Sequence, residues 1–144
     1  MNKIIFLLLI VWQFPQFIAG LFMKNFLKVS KVEKYKDAKI FCVDNFNKFG
    51  ISFGYHIFLS NDDRGRELLL HEYGHSIQSR ILGLFYVPVV GAYSIIRQIY
   101  YLKKISNIKN SSDKKKLWSQ YYQGFPEKWA NRLAKVNMDT WKNI

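Results

Sequence analysis

The hydrophobic pattern divides the chain into apolar blocks separated by lysine-rich ones. Residues 4–23 form the first block, which is about as long as one bilayer span. Residues 24–49 form a basic connector, in which we expect helix around residues 25–34, a short strand over residues 38–43 and turns over residues 44–50. Residues 51–60 alternate between apolar and more polar positions, which predicts one half-buried strand.

A helix is expected over residues 67–80, with N-capping side chains at residues 60–63. The second apolar stretch, residues 81–96, is interrupted by Gly83, Pro88 and Gly91 and is short for a clean span. It is either a core loop and helix or a re-entrant segment at a membrane. The polar, basic residues 103–116 are expected to form a loop, and a last helix is expected to begin near Pro126.

Composition limits the classes of protein to which this chain can belong. Its 144 residues are enough for one domain, and 49% hydrophobic residues exclude a disordered chain. The net charge is +12, but lysines outnumber arginines and no nucleic-acid recognition motif is present, so we expect no nucleic-acid partner. Lysines beside apolar segments fit an anionic membrane surface better. Cys42 is the single cysteine, so an internal disulfide is excluded.

The N-terminal block allows two interpretations. Lys3 followed by an apolar core is typical of a signal peptide, but Phe-Ile-Ala-Gly at residues 17–20 is a poor cleavage site. The lysines that follow disfavour export of the rest of the chain. We therefore expect residues 1–23 to be an uncleaved anchor or in-plane helix kinked at Pro15, and residues 24–144 to be one domain on the cytoplasmic side of the cell membrane.

Residues 71–75, His-Glu-Tyr-Gly-His, carry the strongest chemical signal. Residues four apart in a helix differ by roughly 40° around its axis, so His71 and His75 project toward one point, as two ligands of a zinc ion must. Glu72 is placed to act as a general base toward a metal-bound water. The alternative is two ordinary histidines and a surface glutamate, but burying these groups without partners would cost several kcal/mol.

A catalytic zinc site needs a third protein ligand. Glu127 is the best candidate, and Asn131, one turn later, could accept the free N–H of a ligating histidine. The alternative is a surface Glu/Asn pair on an amphipathic helix. His56 is either a third ligand, a group in contact with the substrate, or a hydrogen-bonded strand residue. His56, Tyr121 and Tyr122 are the candidates for stabilising an oxyanion.

The motifs carry a family resemblance. His-Glu-Tyr-Gly-His followed by Glu127-x-x-x-Asn131 resembles the gluzincin pattern, and the chain is similar to minigluzincins and to the cores of CAAX prenyl protease-type enzymes. Residues 12–16, 71–79, 83 and 127–133 also resemble a set of small bacterial membrane proteins that look like zinc peptidases. These segments contain 22 of the 144 residues. The departure is Asn131, where the pattern usually has aspartate.

The resemblance implies a fold and a function. The fold would be α+β, a minimal zincin-like core with a small sheet, the His-Glu-x-x-His helix and a C-terminal helix carrying Glu127, together with an N-terminal membrane helix. The function would be a membrane-associated zinc metallopeptidase that acts on a peptide or protein substrate and contacts membrane lipids. An inactive metal-binding membrane scaffold remains the alternative. A third possibility is a basic protein that binds a membrane surface or nucleic acid and in which the histidines are structural.

Overall fold

The computed structural model describes residues 3–44, 50–61 and 65–136, and they form an α+β fold. Asn45, Asn47 and Lys48, expected in a turn, and Asp62 and Asp63, expected to cap a helix, lie outside the described residues. The elements follow one another along the chain as α1 (Lys3–Trp12), α2 (Phe14–Phe26), β1 (Val29–Tyr35), β2 (Ala38–Val43), β3 (Gly50–Phe53), β4 (His56–Ser60), α3 (Arg66–Leu82), a 3₁₀ turn (Gly83–Phe85), a π turn (Val87–Gly91), α4 (Ala92–Ser106), α5 (Ser111–Gln123) and α6 (Glu127–Ala134).

The four strands form one mixed sheet in the order β1-β2-β4-β3. β2 pairs with β1 in an antiparallel hairpin and with β4 in parallel, and β3 pairs with β4 in antiparallel. The strand expected over residues 38–43 is confirmed. The helix expected around residues 25–34 is wrong, since β1 occupies most of that range. The single strand expected over residues 51–60 is a hairpin, because Gly54 turns the chain with φ = 59°.

The sheet is covered on both faces, so its central strands, β2 and β4, are buried at every position except Lys39. One face, with Ile40 and Ile57, packs against Tyr73 and Leu69 of α3. The other face, with Phe41 and Phe58, packs against Met23 of α2 and the segment that follows it. The predicted metal-binding helix therefore lies on one side of the sheet and the N-terminal helices on the other.

The N-terminal block is two helices and not one. Gln13 separates α1 from α2, and Pro15 lies in the first turn of α2, where it is tolerated. None of the described helices is by itself long and apolar enough to cross a membrane. Two bent helix pairs meet the length and composition criteria together, one bent by 91° between α1 and α2 and the other by 119° between residues 66–85 and 87–106.

The two bends contact each other through hydrogen bonds. The indole N–H of Trp12 donates to the carbonyl of Arg80 (3.0 Å), and the side-chain amide of Gln16 donates to the carbonyl of Gly83. Ser79 donates to the side-chain oxygen of Gln13 (2.8 Å). The first two bonds satisfy backbone carbonyls at and just after the end of α3. The N-terminal pair is thereby tied to the C-terminal end of α3.

The basic region expected to be a loop over residues 103–116 is mainly helical. α4 continues to Ser106 and α5 begins at Ser111, so only a short connection separates them. The side chain of Asn110 accepts a hydrogen bond from the backbone N–H of Ser112, which caps α5. The two helices bring α6, which carries Glu127 and Asn131, back toward α3.

Candidate metal centre

Three buried side chains converge beside α3. The Nε2 atoms of His71 and His75 lie 3.1 Å and 2.9 Å from the same oxygen of Glu127, Oε2. The ligand atoms of the three residues all lie within 4.8 Å of one another. Glu127 is 1% exposed, so it is not the surface residue of the alternative interpretation. This group could hold a metal ion.

The outward-facing nitrogen of each imidazole is held by an amide side chain. Nδ1 of His71 donates to Oδ1 of Asn131, and Nδ1 of His75 donates to Oε1 of Gln78, both at 2.8 Å. Gln78 in turn donates to the carbonyl of Pro126 (2.9 Å). Both rings therefore have a fixed orientation with Nε2 turned inward, as the partners of metal-ligating histidines arrange them.

The backbone contact between α3 and α6 makes this arrangement possible. Gly74, inside the His-Glu-Tyr-Gly-His motif, has no side chain, and the backbone of Ala130 fills the space that one would occupy. The helices can approach closely because both residues are small. Glu127 and Asn131 lie one turn apart on α6 and reach His75 and His71 from the same side.

Glu72 lies at the edge of the group and against the sheet. It is 5% exposed, and its carboxylate is so close to Gly50 of β3 that a β-carbon there would lie 2.7 Å from Oε1. Burial raises the pKa of Glu72, with a smaller contribution in the same direction from the charge of Glu127. The charges of the two histidines act in the opposite direction. A carboxylate with a raised pKa is better suited to proton transfer near neutral pH than an ordinary one.

Glu127 and His75 stabilise each other as an ion pair. Burial alone would raise the pKa of Glu127, but the charge of His75 and the hydrogen bonds from both imidazoles hold that pKa well below its usual value. Burial likewise opposes protonation of His75, yet the charge of Glu127 raises the pKa of His75 to about 9. The carboxylate of Glu127 therefore stays charged although it is buried. A bound metal ion would take the place of the proton on His75.

The second oxygen of Glu127 is held from another direction. Ser94 of α4 donates to Oε1 at 2.5 Å, and the hydroxyl of Tyr121 donates to the same oxygen at 3.0 Å. Tyr121 is thus engaged with the carboxylate. The ring of Tyr122 lies edge-on to that of His71, with 5.4 Å between centroids. Burial and the charges of Glu127 and Glu72 raise the pKa of Tyr122, which keeps its hydroxyl protonated.

His56 is not part of this group. It lies on the face of the sheet that is covered by α2, where its ring packs against Phe17 (5.2 Å between centroids) and Phe41 (5.6 Å). A β-carbon at Gly20 would lie 2.6 Å from its Nδ1. The structure brings the other predicted residues together but leaves His56 on the far side of the sheet.

Sequence reasoning missed two residues of the site. Gln78 follows His75 by three positions, a spacing that places both on one side of a helix, so this contact was detectable from the sequence. Ser94 lies inside the second apolar stretch, and nothing in the local pattern connects it with Glu127. Its position depends on the bend that precedes α4.

Comparison of the chain with protein-family models, with curated proteins and with solved structures gives no match.

Proposed function

We propose that the chain is a zinc-dependent metallopeptidase that works at a membrane surface. The observation that carries the proposal is the convergence of two inward-facing Nε2 atoms and one carboxylate oxygen. Two histidines and a glutamate are an established ligand set for catalytic zinc, and each imidazole has the outer hydrogen-bond partner that such ligands need. The absence of a cysteine among the ligands also suits a catalytic more than a structural zinc site.

Each residue of the site has its own role in the proposed hydrolysis. Zinc bound at this site would supply a Lewis acid, which lowers the pKa of water and polarises a peptide carbonyl. His71, His75 and Glu127 hold the ion. Glu72 takes a proton from the attacking water and transfers it to the leaving amine, for which its raised pKa is suited.

A donor for the developing negative charge on the carbonyl oxygen is also required. Tyr121 already donates to Glu127, whereas the ring of Tyr122 adjoins His71. Tyr122, whose ring adjoins a proposed metal ligand, is our candidate for this role.

The sheet supplies a place for an extended substrate. β3 is at the edge of the four-stranded sheet, and its first residue, Gly50, is in contact with Glu72. An extended peptide that pairs with an edge strand gains backbone hydrogen bonds without depending on its side chains. Pairing along β3 would bring a peptide bond next to the proposed general base. We propose extended segments of peptides or proteins as substrates.

The test compares the wild-type chain with Glu72→Gln, each purified and loaded with zinc. Both should hold about one zinc ion per chain, because Glu72 is not a ligand. Cleavage of casein or of a peptide library should fall by about two orders of magnitude or more in the variant, as expected for loss of a general base. Equal cleavage by both proteins would refute the mechanism. His71→Ala with His75→Ala should lose the metal, and retention of it would refute the site.

One observation favours a second candidate, a metal-binding scaffold without activity. His71, His75 and Glu127 are each less than 10% exposed, and closed sites are typical of structural zinc, which has no open position. Asn131 in place of the usual aspartate agrees with this candidate. Stoichiometric zinc together with no cleavage of any peptide by wild-type protein on vesicles would favour the scaffold.

A further inference from the structure

Helix α4 has its polar side inward and its apolar side outward. Ser94, Arg97 and Tyr101 point toward α5 and α6. Ser94 donates to Glu127, while Arg97 and Tyr101 contact Tyr121, which itself bonds Glu127. The opposite side is exposed, with six large apolar or aromatic residues between 45% and 66% accessible. These residues are Tyr93, Ile95, Ile96, Ile99, Tyr100 and Leu102. Water-facing helices show the reverse pattern, so this surface is suited to an apolar environment.

The apolar surface extends beyond α4. Phe85, Val87 and Val89, in the turns before α4, are also more than 40% exposed. The bend that carries them contacts the other bend, since Trp12 lies against Gly83. The outer sides of α1 and α2 continue with further exposed apolar residues, among them Leu8, Val11, Phe14 and Phe22. An exposed apolar surface of this extent marks an interaction site.

Charge indicates which partner covers this surface. α4 ends with Lys103 and Lys104, and α5 begins with lysines at positions 114–116. The whole chain carries a net charge of +12, so two copies would repel each other, whereas anionic headgroups would attract them. The combination of an apolar face and lysines at its end fits an anionic bilayer, with acyl chains against the face and headgroups at the lysines.

The inner side of α4 contacts Glu127, one of the three residues of the proposed metal site. Ser94 donates to Oε1 of Glu127. The guanidinium of Arg97 donates to the backbone carbonyl of Tyr121 at 2.8 Å, and the hydroxyl of Tyr121 donates to the same oxygen of Glu127. With Oε1 held in this way, Oε2 is the oxygen that faces both histidines. A shift of α4 would therefore displace Ser94 and Arg97, which hold Glu127 directly and through Tyr121.

We propose that α4 links membrane binding to metal binding: its outer face binds an anionic bilayer, and Ser94 and Arg97 on its inner face transmit the position of the helix to Glu127. Ser94 is a positioning residue, since it acts on the metal through Glu127. The proposal rests on the proposed metal site but not on peptide hydrolysis. It can therefore fail while the chain is an active peptidase, and it can hold if the chain cleaves nothing.

The experiment measures zinc affinity of the full-length chain by competition with a chromophoric chelator, at a concentration at which light scattering shows monomers. Affinity is measured without vesicles, with phosphatidylcholine vesicles and with vesicles that contain phosphatidylglycerol. We expect the anionic vesicles to tighten zinc binding about fivefold or more, within the usual range of allosteric coupling. Reciprocity requires zinc to tighten binding of the chain to the same vesicles by the same factor.

Three variants separate lipid binding by α4 from the coupling of lipid binding to zinc binding. Ile99→Lys should weaken binding to anionic vesicles about tenfold and leave zinc affinity in their absence unchanged. Gln98→Lys adds the same charge at the neighbouring exposed position of α4 and should not weaken vesicle binding. Ser94→Ala should bind vesicles normally without zinc but lose the coupling.

Each half has a result that overturns it. Failure of the wild-type chain to bind anionic vesicles, or equal weakening by Ile99→Lys and Gln98→Lys, refutes the lipid-binding face. A stable dimer that Ile99→Lys dissociates, with vesicle binding unchanged, assigns the face to a second copy. Vesicle binding that leaves zinc affinity unchanged in the wild-type chain, or coupling that survives in Ser94→Ala, refutes the link through α4.

Discussion

The backbone of Ala130 lies directly against Gly74, so that α3 and α6 touch at the level of the metal group. A β-carbon at Gly74 would lie 2.6 Å from the carbonyl carbon of Ala130, which is closer than atoms of this kind can approach. Ala130 is itself fully buried. The contact determines how deeply α6 sits on α3, and therefore whether Glu127 can reach the two histidines.

Gly74→Ala should separate the two helices. Although alanine favours helix over glycine, the overlap with the Ala130 backbone forces a rearrangement of the kind that costs about 1–3 kcal/mol in a packed core. We expect a lower free energy of unfolding and a loss of zinc affinity of at least about tenfold, because Glu127 moves with α6. Chemical denaturation and zinc competition measure the two effects.

Gly91→Ala is the matched control for this substitution. A β-carbon at Gly91 would have as its nearest neighbour the Tyr86 carbonyl oxygen at 3.9 Å, an ordinary contact. This variant should be as stable as the wild type or slightly more stable and should bind zinc normally. If both alanine variants bind zinc equally well, the close approach of α3 and α6 is not what positions Glu127.

Substitutions of Asn131 test how the hydrogen-bond acceptor of an imidazole affects zinc affinity. Asn131→Ala removes the acceptor for Nδ1 of His71 and should weaken zinc binding about 10- to 100-fold. Asn131→Asp places a carboxylate there, which raises the basicity of His71 more than an amide does and should tighten zinc binding. The same variant should be less stable without metal, because it adds a buried charge near Glu127.

The control for the added charge is Asn107→Asp, at the exposed C-terminal end of α4. It should leave zinc affinity within about twofold of the wild type, since an exposed charge is screened by solvent. Weaker zinc binding by Asn131→Asp than by the wild type would contradict the proposed role of the amide.

His56 should make the stability of the fold depend on pH. Burial between the sheet and α2, together with the charges of Lys39 and Lys24, lowers the pKa of His56 to about 4 from an ordinary value of 6.5. The unfolded chain therefore binds a proton at this residue at a higher pH than the folded chain. The stability that a neutral His56 contributes is complete above pH 6.5 and is lost as the pH falls from about 6.5 toward about 4.

The measurement is the free energy of unfolding at several pH values for the wild type and for His56→Gln, both without metal. Glu72, Glu127 and His75 titrate in both proteins, so the difference between the two curves isolates His56. The wild type should lose stability relative to the variant as the pH falls through this window. Parallel curves would show that His56 is not held neutral by burial.

The sequence contained enough to predict which three side chains converge. The i, i+4 spacing of His71 and His75 determines where their rings point on any helix, and the structure brings Glu127 to both. Asn131 lies one turn after Glu127 and contacts His71 as expected. These predictions depend on local geometry within α3 and within α6, which spacing alone describes.

Other predictions failed because distant contacts decide them. Residues 29–35 form a strand because they pair with β2 across a turn at Lys36 and Asp37, although their own pattern also permits a helix. Residues 51–60 alternate regularly between apolar and polar positions, so this pattern does not predict the hairpin turn at Gly54. Asn110 did carry a local capping signal, but the lysines around it led to the expectation of a loop. Ser94 reaches Glu127 only through the bend before α4, which no pattern predicts.

His75 and Glu127 are 52 positions apart, so an ion bound to both would hold two distant parts of the chain together. An ion held by both residues would act as a cross-link that closes this long stretch of chain. Because the unfolded chain does not hold the two residues together, the ion would bind the folded chain selectively and stabilise it, by about 4 kcal/mol at a zinc concentration roughly 1,000 times the Kd. Chelation should therefore lower the free energy needed to separate α6 from α3, so that proteases should cleave the C-terminal part of the zinc-free chain faster than that of the zinc-bound chain.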